Sequence, residues 1–484
     1  MSTRDILLAF LFTIFGVWVY EFFSTGAILL CLISIFAIYF LTKQKLTTLA
    51  VLIGIVLGAT SLWVCENVPN RVLFNTPNIG EKISGIAEIK SAKQSLFGIQ
   101  YVAEIEINGE STRVILETTD AKALSIGDTA NFSGTLTEPE DFVGEYGKTF
   151  HYKNYLRAKG ILFVIKNAKL SDVQQHSGFS ILKILENIKN SFEENLEQVL
   201  HEPAVSLVEG TILGDKGAMT KADTENFRKS GLIHMIVLSG YNISIVIAFI
   251  LAVLRPFPRK ISLISAVIAV ALFVLMSGAS TTAIRAGVMG SLVIAGNFVH
   301  RKLDVLRLLS ITGILMTIFS PLSALYDPSF QLSFLATFGL ISFGPWAQRK
   351  LGFITEKYGL REIASATIGS QIMTLPFLAY SMGAVSVVSF FSNILVLPLA
   401  PLLMLFGFLT GLLSFMPIIY IPFAFITHII SSYIFKISEF FASLPFSMLA
   451  TPLASSIIIF SLYIFLIIYG FKIYQEDKLR SLST

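Results

Sequence analysis

The chain is short of charge. Of its 484 residues only 14% are Asp, Glu, Lys or Arg, against 54% hydrophobic. A soluble domain carries about 25% charged residues, so a water-soluble enzyme is excluded before any motif is read. Cysteine is almost absent. Cys31 lies inside one apolar run and Cys65 ends another, which excludes a disulfide framework and a cysteine metal site. The histidines His151, His176, His201, His234, His300 and His428 are scattered, and no His/Asp/Glu cluster has metal-ligand spacing. The phosphate-loop pattern Gly-x4-Gly-Lys-[Ser/Thr] is also missing; Leu213-Gly214-Asp215-Lys216-Gly217 reads as a turn between two helices. The sequence therefore predicts no metal, no cofactor and no energy source of its own.

What it has is apolar length. Phe occurs 41 times, and mean hydropathy is +0.72. Runs of roughly 17–25 residues, enough to cross a bilayer, recur along the chain. They are continuously apolar rather than alternating, which excludes a membrane β-barrel and leaves helices. About twelve spans are expected, near 6–23, 26–41, 46–64, 232–254, 261–277, 284–299, 305–320, 330–347, 364–380, 399–415, 418–436 and 453–471. The first has only Arg4 before it and no small-residue cleavage site after it, so it reads as a retained span.

Basic loops orient the chain. Thr42-Lys43-Gln44-Lys45 should be cytoplasmic, which puts the N-terminus inside and residue 66 onward outside. Arg255, Arg259 and Lys260, then Arg301, Lys302 and Arg307, then Arg349, Lys350, Lys357 and Arg361 fall in turn on the inner side. The tail with Lys472, Lys478 and Arg480 joins them if 385–397 enters and leaves on one face. Its Gly383, Ser386, Ser389, Ser392 and Asn393, ahead of Pro398 and Pro401, suit a re-entrant element lining a cavity. Counting it as a full span puts the tail outside.

Between the first three spans and the rest lies a polar, β-rich stretch. Segments 83–90, 99–107, 111–117, 129–136 and 161–165 read as strands, with Asn108-Gly109 as a hairpin turn. Five or six short strands suit a small barrel. Residues 180–200 follow as an amphipathic helix with a stripe from Ile181 to Val199. Charge is uneven: Glu81 to Glu145 has five basic and twelve acidic residues, whereas Tyr146 to Leu170 has six basic and none acidic. In that basic part Lys148, Lys153, Arg157 and Lys159 interleave with Tyr146, Phe150, Tyr152 and Tyr155. The mixture suits either lipid headgroups or the steering of a single-stranded polyanion.

Polar residues at membrane depth mark function. His234, Ser239, Tyr241 and Asn242 fall in the outer half of the span 232–254, as helix-packing polar groups or as pore lining. On a helix, His234 and Ser239 point about 140° apart, which argues against a hydrolase pair. Arg285 begins another span with no adjacent acid, and either snorkels to headgroups or meets phosphates in a pore. Asp327 and Ser329 read as helix caps around Pro328, while Gln331 suits a cavity lining.

At these stretches the chain resembles the competence proteins of the ComEC/Rec2 type, inner-membrane channels for DNA uptake. Gly214-Asp215-Lys216 followed by Phe227…Gly231-Leu232-Ile233-His234-Met235…Leu238-Ser239-Gly240-Tyr241-Asn242-Ile243 resembles that family's opening motif. The motif commonly ends in Ser-Gly-Leu/Met-His, so Tyr241-Asn242 departs from it. Thr281…Arg285-Ala286…Met289, Asp327-Pro328…Gln331-Leu332-Ser333-Phe334 and Ser392-Asn393 with Pro398 resemble three later elements. Phe150-His151-Tyr152-Lys153-Asn154-Tyr155-Leu156…Gly160-Ile161 resembles the end of the family's extracytoplasmic OB-like domain. The metallo-β-lactamase-like domain of many members has no counterpart here, since no His-x-His-x-Asp-His pattern occurs. Any such nuclease is expected on a separate protein.

The resemblance implies an α-helical polytopic membrane protein with an inserted OB-like barrel. The expected division is a three-helix region 1–65, an OB-like domain 66–175, a helical linker 176–230, a competence core 231–475 and a cytoplasmic tail 476–484. It implies a non-enzymatic channel for single-stranded DNA in the bacterial inner membrane. Its partners are the lipid bilayer, a cytoplasmic ATP-driven motor and a periplasmic or surface DNA receptor. Arg285 is the first candidate for a phosphate contact, with His234, Ser239, Tyr241, Asn242, Asp327, Gln331 and Asn393 as polar lining. Lys148, Lys153, Arg157 and Lys159 are the steering candidates. The competing reading is a carrier for a small solute or lipid, whose inverted repeats and paired broken helices the chain does not show. An intramembrane enzyme would need a catalytic pair or metal cluster at depth.

Overall fold

The computed structural model describes residues 2–22, 45–67, 79–95, 98–107, 110–118, 124–174, 180–214, 219–236, 238, 240–298, 304–451 and 456–483. The chain packs as two units. One comprises Met1–Phe142, Phe150–Glu186 and Leu303–Gln331; the other comprises Val143–Thr149, Asn187–Lys302 and Leu332–Thr484.

In the first unit, α1 (Thr3–Phe22) and α2 (Lys45–Asn67) cross at close range. Gly16, Gly54 and Gly58 lie where a Cβ would strike the facing backbone, the small-residue contact that membrane helices use when no hydrophobic force draws them together. The expected span 26–41 lies outside the described residues. Strands β1 (Lys82–Ser95), β2 (Gly98–Ile107), β3 (Glu110–Thr118), β4 (Thr129–Thr137) and β5 (Ile161–Gln174) close a barrel in the order β1-β2-β3-β5-β4. Only the β3–β5 pair is parallel. A short helix, α3 (Tyr152–Ala158), joins β4 to β5. The alternation read from the sequence fills the barrel: Ile89, Tyr101, Ile105, Val114, Leu116, Phe132, Leu136 and Ile165 point inward. This is the expected OB-like module, a closed five-stranded barrel that leaves no open sheet edge. The Asn108-Gly109 turn lies outside the described residues, but the strands it joins pair as a hairpin, Ile107 opposite Glu110. The amphipathic helix α4 (Ile181–Val199) starts in this unit and continues in the other from Asn187; it buries Leu185 and Leu196 while Ile181, Ile184 and Ile188 stay exposed.

The second unit is helical. It contains α5 (Ala204–Ile212), α6 (Lys221–Lys229), α7 (Gly240–Val253), α8 (Arg259–Met276) and α9 (Thr281–Phe298). Helix α10 (Val305–Phe319) belongs to the first unit, and α11 (Pro328–Lys350) starts there. Then come α12 (Leu360–Ser381), β6 (Ala384–Ser386), α13 (Ser389–Val396), α14 (Ala400–Leu413), α15 (Pro417–Ser443), β7 (Met448–Ala450) and α16 (Ser456–Ser483). Among the described residues seven helices are long and apolar enough to cross a bilayer, and Asn242–Val253, Thr281–Ile294 and Val305–Phe319 are shorter apolar ones. With α12, which has the length but carries Arg361, Glu362, Ser365, Thr367, Ser370, Gln371 and Thr374, they account for eleven of the twelve expected spans. The chain is a multi-pass membrane protein.

Two expectations need correction. The span 232–254 is helical only from Gly240; residues 230–236 form irregular turns. Segment 385–397 is not a separate re-entrant element. It begins as β6, paired with β7, then runs as α13 through a 3-10 turn at Leu397–Leu399 into α14, one apolar stretch Ser389–Leu413. Pro398 and Pro401 sit in first turns, where a missing N–H goes unnoticed, so they do not break the run. The β6–β7 pair sets the ends of α12 and α15 side by side. Arg349 and Asp477, 2.5 Å apart, join the ends of α11 and α16. Helix α12 leads from the latter end of the unit to the former.

Candidate functional site

Everything at the site hangs on the break between α6 and α7. Helix α6 ends in Ser230 and Gly231, the latter at φ +78°, a conformation that side chains disfavour. A Cβ on Gly231 would also overlap the Ser389 side chain. The chain can stop here because α13 and β6 satisfy the carbonyls that the end of α6 exposes. The Ser386 hydroxyl donates to the Lys229 carbonyl at 2.7 Å, and the Ser392 hydroxyl donates to the Ser230 carbonyl at 2.6 Å. Ser230 Oγ meets Ser438 Oγ of α15 at 3.2 Å, and Gln371 Nε2 of α12 donates to Ser389 Oγ at 2.7 Å. Two of the serines expected to line a cavity, Ser386 and Ser392, thus cap α6, while Ser389 takes the Gln371 amide.

Beyond the break, the Thr282 hydroxyl donates to the Leu238 carbonyl at 2.8 Å, holding the irregular backbone against α9. Asn242 Nδ2 donates to the Thr211 carbonyl at 3.0 Å and caps the buried helix α5. His234 is exposed, its Nδ1 3.2 Å from the Gly231 carbonyl. Ser239 and the side chain of Tyr241 lie outside the described residues.

Arg285 does not snorkel. It is 7% exposed, on the second turn of α9. Its Nη1 donates to Thr337 Oγ1 of α11 at 2.6 Å and lies 3.8 Å from Met289 Sδ. Thr337 in turn donates to the Ser333 carbonyl at 2.8 Å. The guanidinium carbon stands 6.0 Å from the centre of the Phe334 ring, and Nη2 comes within 2.6 Å of where a Cβ on Gly240 would be. Its Nε is buried with no hydrogen-bond partner, and among the described residues no carboxylate pairs with it. Burial of an uncompensated cation costs several kcal/mol. Thr337 carries no motif of its own and was not anticipated. Asn393 on α13 is also buried, with its Oδ1 unpartnered among the described residues.

Asp327 and Gln331 belong to the first unit. Asp327 Oδ1 accepts from the Ser329 N–H at 2.9 Å, the cap expected of it. Gln331 Nε2 donates to the carbonyls of Ala324 and Leu325 at 3.1 and 2.8 Å, closing the short helix Ser323–Tyr326.

The basic stretch is largely engaged internally. Lys153 pairs with Glu138, and Arg157 Nη1 lies 2.8 Å from Glu21 Oε1, which also accepts from Tyr326 Oη at 3.1 Å. Lys159 Nζ sits 4.3 Å from the centre of the Tyr155 ring, and Lys148 Nζ 5.8 Å from that of Tyr380. Phe142, Phe150, Tyr152 and Tyr155 cluster with centroids 5.2–6.4 Å apart, Tyr152 and Tyr155 stacked and the other pairs tilted. Beside them Asp141 accepts from His151 Nδ1 at 2.8 Å and from the Lys153 N–H at 3.1 Å. Burial opposes ionisation of Asp141, but these bonds outweigh it and hold the carboxyl below its usual range.

The arrangement suits an anion. A fixed, desolvated guanidinium beside an unwound backbone can take a phosphate or carboxylate in the fork geometry that Arg offers. Irregular backbone at membrane depth is tolerated where it is buried in protein or faces a water-filled path.

A family model described as "Competence protein" matches residues 211–475, from the carbonyl that Asn242 caps to helix α16. The "ComE operon protein 3" of Bacillus subtilis (strain 168) is 24% identical over 291 residues, 59% of this chain and 36% of that protein. The match thus spans little more than a third of that relative's length. No solved structure matches. The family match covers more than half of the chain and takes in the break, Arg285, Thr337 and the serine caps, so the chain belongs to the Competence protein family.

Proposed function

We propose that the protein conducts single-stranded DNA into the cytoplasm across the bacterial inner membrane during natural transformation. Membership of the family supports a part in DNA uptake. The observation that carries the channel reading is Arg285, a buried cation with no carboxylate partner among the described residues, set against the break before α7. A strand crossing a low-dielectric layer must have its phosphates hydrated or matched by fixed donors. Arg285 supplies one such donor at membrane depth; His234 and Asn393 add polar groups. Asn242, Asp327 and Gln331 hold helix ends and act as scaffold.

The barrel is extracytoplasmic in this reading, as the basic loop at Lys43–Lys45 orients the chain. Its aromatic cluster, with Lys159 beside it, offers stacking surfaces to a single strand. Lys153 and Arg157 serve mainly the fold. The driving force comes from an ATP-dependent motor on another cytoplasmic chain, and a surface receptor delivers the DNA.

The test is import of labelled double-stranded DNA by cells with and without this gene. DNase-protected label in the cytoplasm is scored apart from label held outside the inner membrane. The channel predicts loss of cytoplasmic label with outer binding intact. Equal cytoplasmic label in both strains, with no second family member present, would overturn it in favour of a solute or lipid carrier.

A further inference from the structure

A cavity of about 380 Å³ opens between the C-terminal ends of α11 and α16, remote in sequence from the break and from Arg285. It is lined by Trp346, Arg349, Lys350, Tyr469, Glu476 and Arg480, with Ile473 buried beneath. Its position along both helices is telling. Helix α11 has no charged residue before Arg349, and α16 has none before Lys472. Trp346 and Tyr469 each stand three residues short of that change. Two apolar helices thus turn polar at the same level, with an aromatic ring at each, which is the signature of a membrane–water interface.

The charges fit a monoanion. Arg349 is neutralised by Asp477 at 2.5 Å. Lys350, Arg480 and Glu476 also line the cavity, so with Arg349 and Asp477 three basic residues stand against two carboxylates, one net positive charge. The apolar side is open to lipid, because α16 presents Ile457, Phe460, Phe465 and Ile468 at 60–77% exposure. A molecule with a phosphodiester head and acyl tails would put its head in the cavity and its tails along α16.

We infer that this cavity binds the headgroup of an anionic phospholipid. Basic pockets between membrane helices hold acidic headgroups by the same chemistry. The site needs nothing from the DNA-conducting reading, and its test is separate.

The experiment uses the full chain, delipidated in neutral detergent, with thermal unfolding read as lipid is added. Phosphatidylglycerol is expected to raise the Tm and phosphatidylcholine to leave it unchanged. Lys350→Ala with Arg480→Ala should weaken the apparent affinity about 25-fold, about fivefold for each cation lost near the surface. Lys260→Ala, a cation at the start of α8, should bind as wild type. Lys350→Gln alone should show the fivefold loss if the double variant fails to fold. Inorganic phosphate and a short oligothymidylate serve as competitors. Equal responses to the two lipids, or unchanged affinity in both Lys350 variants, would overturn the inference. Displacement of the lipid by free phosphate or by the oligonucleotide would assign the cavity to those ligands and overturn it likewise.

Discussion

Replacing Arg285 with Met separates a structural arginine from one held ready for an anion. Met matches the apolar stem of Arg but lacks the guanidinium and its charge. An unpaired buried cation costs several kcal/mol even after relaxation. The charged hydrogen bond to Thr337, at 2.6 Å, returns about 1.5–3 kcal/mol of that. Arg285→Met should therefore leave stability unchanged or raise it by about 1–3 kcal/mol, read as a Tm equal to or a few degrees above wild type. Import should move the other way. Loss of one charge-assisted contact to a passing phosphate is worth about 1.5–3 kcal/mol, or about 10- to 150-fold in rate. Arg285→Lys keeps the charge but loses the fork, and should fall between the two. The assays are thermal unfolding in detergent and cytoplasmic accumulation of labelled DNA in complemented cells. A Tm lowered by several degrees, or import at wild-type rate in Arg285→Met, would refute the reasoning and make the residue a packing element.

Gly231→Ala should cost about 2–5 kcal/mol, from its left-handed φ and from the clash with Ser389, and Ser389→Gly in the same chain should restore only the clash part, as a double-mutant cycle in Tm would show. Arg157→Ala and Glu21→Gln should each destabilise the first unit by about 1–2 kcal/mol and the pair should be far from additive; a strong loss of oligonucleotide binding in Arg157→Ala at unchanged Tm would contradict this. Asp141 has a depressed folded-state pKa, so the stability it contributes is complete above the ordinary carboxylate range and is lost as pH falls through that range and below. Proteolysis between residues 138 and 151 should accelerate over that acid window in wild type and be fast at all pH values in Asp141→Asn; a flat wild-type profile would exclude the coupling.

The parts of this fold that were legible in the sequence are those governed by one periodicity. The barrel strands showed alternation, and each expected segment overlaps an observed strand, although β1 and β5 run on to 14 residues each. The spans showed unbroken apolar length. The break at 230–236 did not show, because Leu232, Ile233, Met235 and Ile236 are as apolar as any helix and only docking against β6, α13 and α9 stabilises the unwound form. Segment 385–397 misled in the opposite direction. Its serines and prolines look like a break, yet the serines cap a neighbouring helix and the prolines occupy tolerant first turns. Arg285 could be picked out as a lone charge, but its buried state and its bond to Thr337 depend on a helix 52 positions away in sequence.

The most direct test of the central claim is to catch DNA in transit at the site. A photo-crosslinking side chain is placed at Thr337, or at Ile464 on the exposed face of α16 as a control, and import is stalled with a bulky group on one DNA end. The account predicts single-stranded DNA crosslinked at position 337 and none at 464. Crosslinks at 464 in place of 337, or stalled DNA with no crosslink at 337, would contradict a path past Arg285.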